Sequence, residues 1–158
     1  MLKEEINMLF SQIDMYTLQG LNEENLSINT INGINIFFYF LEENAKLFMY
    51  AHLGRVYATD IELKNLYYKK MLQMNLPLFI TNNVRLSVSD DDNIYASIML
   101  DHSDFSKIKM EEALQDFLLT VKNYQESLQS IFSNTEVTMK VKPLNETFDI
   151  GMFGTMRV

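Results

Sequence analysis

The sequence predicts an α+β domain, with three amphipathic helices packed on a twisted, largely antiparallel sheet. Three observations predict it. Apolar residues recur at helical spacing near the start, the middle and the later part of the chain. Two blocks with strand-like alternation lie between those segments. Tight-turn residues split each block into neighbouring strands, so the order reads helix, three strands, helix, two strands, helix, tail.

The first helix is expected over 2–19. Leu2, Ile6, Leu9, Ile13 and Tyr16 step by three and four, Phe10 widens the stripe, and Gly20 ends it. Met8 and Met15 lie off that stripe. A short strand begins at Leu26 and Ile28, and Asn32-Gly33 is a strong turn signal. Strands 34–41 and 46–53 follow, joined around Glu42-Glu43-Asn44-Ala45. In the first of these, Ile34, Ile36, Phe38 and Phe40 point one way and Phe37, Tyr39 and Leu41 the other. In the second, Leu47, Met49, Ala51 and Leu53 oppose Phe48, Tyr50 and His52. A sheet apolar on both faces wants cover on both.

A second helix is expected over 60–75, with Thr59 and Glu62 as a capping box. It carries two apolar stripes. Leu63, Tyr67, Met71 and Met74 form one; Ile61, Tyr68, Leu72 and Leu76 form another on roughly the opposite side. Pro77 closes the helix. The next hairpin, 83–88 and 94–100, turns at Asp90-Asp91-Asp92-Asn93. Val84, Leu86, Val88, Ile94, Ala96, Ile98 and Leu100 are its inward set. The last helix shows the clearest pattern: Met110, Leu114, Phe117, Val121, Tyr124, Leu128 and Ile131 share a face, Leu119 is the apolar exception opposite, and Ser106 is the expected N-cap. Residues 1–132 are expected to form a single domain and 133–158 a C-terminal tail, with a short strand through Val137, Met139 and Val141 and a mobile Gly151-Met152-Phe153-Gly154 end.

Composition narrows function. The chain has 158 residues, a formal net charge of -8, 47% hydrophobic residues, eleven Met and no Cys. A phosphate backbone repels such a surface, so nucleic acid is not an expected partner. Without Cys there are no disulfides, thiolate metal sites or cysteine catalysis. The acidic N-terminal residues do not form a signal peptide, and no apolar run approaches a membrane span, so a cytoplasmic protein without membrane insertion is expected.

The chemistry-bearing residues form no recognisable site. Asp90-Asp91-Asp92-Asn93 fails as a calcium loop, since counting from Asp90 puts Ile94 fifth and Tyr95 sixth. A solvated turn is the better reading. His52 alternates with aromatics on a strand. His102 stands with Asp101, Ser103 and Asp104, but near-adjacent residues do not converge on one substrate atom. The glycines form no phosphate loop. Arg55 is read as a solvated cation. Hence no catalytic residue, metal or cofactor is expected. What remains is apolar surface in excess of what three helices cover, which implies self-association or a partner. The stripe Ile61, Tyr68, Leu72 and Leu76 is the candidate dimer interface; the alternative is that the tail covers the spare apolar face.

One further pattern carries a resemblance. Met71-Leu72-Gln73-Met74-Asn75-Leu76 reads as a leucine- and asparagine-bearing helix end. Leu86-Ser87-Val88-Ser89-Asp90, the turn, the strand from Ile94 to Leu100 and the amphipathic helix from Met110 follow it. With the element order, this resembles class I type III secretion chaperones, the Tir-chaperone (CesT-like) group, over residues 2–132. Met stands at several positions where Leu is commoner, and the tail has no counterpart. The resemblance implies a non-catalytic homodimer of the bacterial cytoplasm. It would hold the N-terminal segment of one or more secreted effectors in extended form, competent for export, with the secretion ATPase as a further partner. The contact region would combine the first helix and first strands: Leu9, Phe10, Ile13, Leu26, Ile28, Phe37 and Tyr39. Several of these must be core, and Phe37 and Tyr39 are expected to be the best exposed. Met8 and Met15 would add adaptable contacts. The competing reading is a regulatory or immunity protein of the same layered fold, with an enzyme third. A neighbouring gene for a secreted substrate favours the chaperone; a neighbouring toxin gene favours immunity.

Overall fold

The structure, a computed structural model, describes residues 2–76 and 83–133. The expected order holds: α1 (Leu2–Gln12), β1 (Leu26–Ile31), β2 (Ile34–Leu41), β3 (Lys46–Arg55), α2 (Ile61–Met74), β4 (Arg85–Val88), β5 (Asn93–Asp101) and α3 (Lys107–Ser133). The five strands form one antiparallel sheet in the order β1-β2-β3-β5-β4. Alternation places Ile36, Phe38, Phe40, Leu47, Met49, Ala51 and Leu53 on one face. They join one core with Ile6 and Phe10 of α1, Tyr67 and Met71 of α2, and the apolar face of α3 from Met110 to Leu128.

The turns follow from their residues. Asn32 and Gly33 both take positive φ, 51° and 77°, which is what a two-residue hairpin turn of this hand requires. After a single 3-10 turn, Glu42–Asn44, Ala45 adopts the left-handed conformation that redirects the chain into β3. Between His52 and Gly54 the β3–β5 register shifts, and Gly54 has φ 140°. Ser106 begins α3 as expected: its hydroxyl accepts from Lys109 N–H (3.4 Å) and its carbonyl from Met110 N–H (2.9 Å).

Three expectations need correction. The first helix stops at Gln12 rather than 19. Asn7 Oδ1 accepts Leu21 N–H (2.7 Å), and Gln19 N–H donates to Asn29 Oδ1 (2.7 Å), so the chain doubles back as a strap beside α1 and β1. Gly20 is therefore not a helix terminator. A Cβ there would sit 3.2 Å from Asn7 Oδ1, so the residue permits a close crossing. The second helix is capped by Asp60, whose carboxylate accepts Glu62 N–H (3.0 Å), not by Thr59. Val88, placed in the inward set, is exposed at the end of an edge strand. The expectations for Pro77 and for the tail, including its strand and its role as cover, lie outside the described residues.

Candidate protein-binding surface

The sheet divides the seven proposed contact residues between its two faces. Leu9, Phe10 and Ile13 are buried on the helix side, and Phe10 packs on Phe38 with ring centroids 4.8 Å apart. Leu26 pairs with Tyr39 and Ile28 with Phe37, so these four share the opposite face. There Phe37, Tyr50 and Tyr95 form a second buried cluster, with Tyr39 half-buried against it. Phe37 stacks on Tyr50 at 5.2 Å and is only 7% exposed, which corrects the expectation that it is a well-exposed residue. Burial, with Tyr95 and Tyr39 adding to it, pushes the Tyr50 hydroxyl far above its usual range. Leu26 is buried too. Of the seven, Ile28 alone is exposed, at 40%. Met8 and Met15 are exposed as well, and Met15 Sδ accepts from Gln115 Nε2 (2.8 Å).

Ile28 sits on the outer edge of the sheet, and the strap closes that edge only in part. Leu26 N–H donates to Asn22 Oδ1 (2.9 Å) and Asn22 N–H donates to the Leu26 carbonyl (2.8 Å). Ser27 and Asn29 point to the helix side and are buried: the Ser27 hydroxyl donates to the Gln19 carbonyl (2.6 Å) and Asn29 Nδ2 donates to Ser27 Oγ (2.8 Å). Because Leu26 turns its backbone groups outward, so do Ile28 and Thr30, two and four residues on. Among the described residues no hydrogen bond from the strap reaches the backbone of those two.

The outer stripe of α2 is the second surface. Ile61 is 71% exposed, Leu72 68% and Leu76 also exposed, while Tyr67 and Met71 on the other stripe are core. Tyr68 is half-buried. Its hydroxyl donates a hydrogen bond to Asp92 Oδ1, and Lys64, one turn earlier, pairs with Asp92 Oδ2 at 2.7 Å. Farther along, the Asn75 amide grips the backbone of Leu86, donating to its carbonyl (2.8 Å) and accepting its N–H (2.7 Å). A groove of about 440 Å³ lies between these two clasps, walled by Tyr68, Met71, Leu72, Leu86 and Val88. Sequence reasoning missed the roles of Asp92, Lys64, Asn75 and Asn22. The spacing of Lys64 and Tyr68, four apart, was the available signal for a shared partner.

His52, the Asp101–Asp104 pair, His102 and Arg55 have structural partners. His52 Nε2 lies 3.1 Å from Asn93 Oδ1, and its ring packs on Tyr95. Asp101 and Asp104 form a reciprocal cap, and the His102 ring packs edge-on against Phe105. Arg55 is not simply solvated: Nε donates to the Asp91 carbonyl (2.7 Å) and the guanidinium lies over the Tyr57 ring. Among the described residues no group of three or more Asp, Glu, His or Cys side chains could hold a metal ion. No described helix is long and apolar enough to cross a membrane.

No family model matches the chain, and no curated protein matches it. Solved structures do. A chain of the HopA1–SchA chaperone–effector complex is 11% identical, with a TM-score of 0.58 over 78% of this chain and 92% of that one. A chain of the heterodimeric ExoU–SpcU complex from the type III secretion system of Pseudomonas aeruginosa is 16% identical, with a TM-score of 0.57 over 82% and 99%. A chain of the Yersinia pestis type III secretion chaperone SycH in complex with a fragment of YscM2 is 16% identical, with a TM-score of 0.53 over 81% and 99%. The chain therefore shares the fold of these proteins.

Proposed function

We propose that this protein is a type III secretion chaperone. As a homodimer it binds the N-terminal region of a secreted effector in extended form and keeps it competent for export, without catalysis. The observation that carries the reading is the half-open β1 edge. A strand edge whose outward backbone groups at Ile28 and Thr30 take no hydrogen bond among the described residues, beside an exposed isoleucine, offers an extended chain main-chain hydrogen bonds and an apolar side-chain contact. The fold shared with chains of a chaperone–effector complex and of two type III secretion complexes supports the same reading. Leu9, Phe10, Ile13, Leu26 and Phe37 then shape the site from within the core. Ile28 and Tyr39 form its contact face, Met8 and Met15 lie on the exposed surface, and Ile61, Tyr68, Leu72 and Leu76 form the dimer interface. The secretion ATPase is a further partner in this reading, and the protein works in the bacterial cytoplasm.

The test is co-purification from the bacterium that encodes the chain, followed by mass spectrometry. The expected result is one dominant secreted protein captured through its N-terminal region. Ile28→Pro sharpens the test. The Ile28 N–H faces away from β2, so proline removes no ladder bond, yet it denies a donor to an added strand. Capture is expected to fall at least about tenfold, the loss of roughly one well-made hydrogen bond plus its apolar contact. Undiminished capture by a folded Ile28→Pro protein overturns the edge assignment. Failure of the wild type to capture any secreted protein overturns the chaperone reading.

A further inference from the structure

We infer that Asp92, in the β4–β5 turn, is a positioning residue for the dimer face: it fixes the Tyr68 ring on α2 in the orientation that meets a second copy of the chain. The inference rests on the dimer proposed above and assigns the acidic turn a role that a solvated loop does not have.

The geometry sets Asp92 apart from its neighbours. Asp92 has φ 63°, a conformation that Asp tolerates better than most residues. Its backbone is held twice, with Asp92 N–H donating to the Ser89 carbonyl and Val56 N–H donating to the Asp92 carbonyl, both at 2.9 Å. The carboxylate thus projects from a fixed point. It takes the Tyr68 hydroxyl on one oxygen and the Lys64 ammonium on the other. Burial alone raises an acid's pKa, but here Lys64 and Tyr68, with Arg55 nearby, outweigh it and hold the Asp92 carboxyl below its usual range.

Tyr68 is the member of the outer stripe that is pinned. Ile61, Leu72 and Leu76 are exposed, whereas the Tyr68 ring forms one wall of the groove opposite Leu86 and Val88. A side chain ordered before association loses less freedom on binding than one ordered by it. The hydroxyl contact therefore belongs to the free subunit and favours the dimer by removing that cost.

The experiment measures the dimer dissociation constant of the full chain by sedimentation for wild type, Asp92→Asn, Tyr68→Phe and the double variant. It also follows the Tyr68 phenol by NMR titration of ring-labelled tyrosine. Asp92→Asn and Tyr68→Phe are each expected to weaken the dimer about two- to tenfold, the cost of ordering one side chain. The double variant is expected to be no weaker than Asp92→Asn alone, since Tyr68→Phe deletes a contact that loss of the Asp92 charge already weakens. Burial first, and then Asp92, raises the Tyr68 phenol above its ordinary range, so in a folded Asp92→Asn protein it should titrate nearer that range. Unchanged dissociation constants, losses that add, or an unmoved Tyr68 titration overturn the inference while leaving the dimer standing. A wild type that is monomeric at every concentration overturns the dimer reading itself, and this role with it.

Discussion

Asp92 links three parts of the chain through one side chain and its own backbone, and its ionisation carries a consequence for stability. Its carboxyl is held below the usual range in the folded protein, so it binds a proton less readily folded than unfolded. The contribution is present above the ordinary carboxylate range and is lost as pH falls through the lowered folded value. Asp92→Asn is therefore expected to lower stability near neutral pH and to flatten the acid limb of unfolding measured by circular dichroism. An acid limb identical to wild type rejects this. Phe10 makes the complementary case. Buried against Phe38, it is core in this chain, and Phe10→Ala is expected to cost about 3–5 kcal/mol in urea unfolding. A purely partner-facing residue would leave stability unchanged. The sequence showed Phe10 on an apolar stripe but could not say which apolar surface it met. Phe37 was misplaced for a related reason: alternation assigns a residue to a face, whereas burial depends on what else lies on that face.

At the scale of elements, the strands and α3 were legible because their signals are local. Asn32-Gly33 fixed the first turn, and β2 runs from Ile34 to Leu41 as its pattern indicated. The end of α1 was not legible. Tyr16 continued the spacing, but the contacts that stop the helix join Asn7 to Leu21 and Gln19 to Asn29, and such partners have no period. Asn75 shows the same limit from another side. Its place at the helix end stood out, but its grip on Leu86 did not. Asn75→Ala leaves an edge-strand N–H and C=O without that partner, at an expected cost of about 1–3 kcal/mol. Native-state hydrogen exchange should report it as faster exchange at the Leu86 amide, with the α3 amides changing less. Uniform acceleration would mean that the clasp supports the whole domain rather than the β4 edge.

For the whole molecule, the α+β class and the element order were legible, whereas the strand order β1-β2-β3-β5-β4 rests on long-range pairing and the docking surfaces on what each face leaves uncovered. The two stripes of α2 separate cleanly, with Tyr67 and Met71 inside and Ile61 and Leu72 outside. Charged replacements at Tyr68 and Leu72 should yield a folded monomer by light scattering under conditions where the wild type is a dimer. Persistence of the dimer would assign association to another surface. The net charge of -8 opposes the non-specific association that such an exposed stripe invites.

The strand order also bears on how the chain is made. β3 lies in the middle of the sheet, yet its second neighbour, β5, comes later than α2 and β4 in the sequence. A ribosome adds about 5–20 residues per second, so roughly 40 residues of further synthesis leave one flank of β3 unpaired for about 2–8 seconds. For those seconds the flank that becomes the middle of the mature sheet is an open strand edge, a template on which other chains pair.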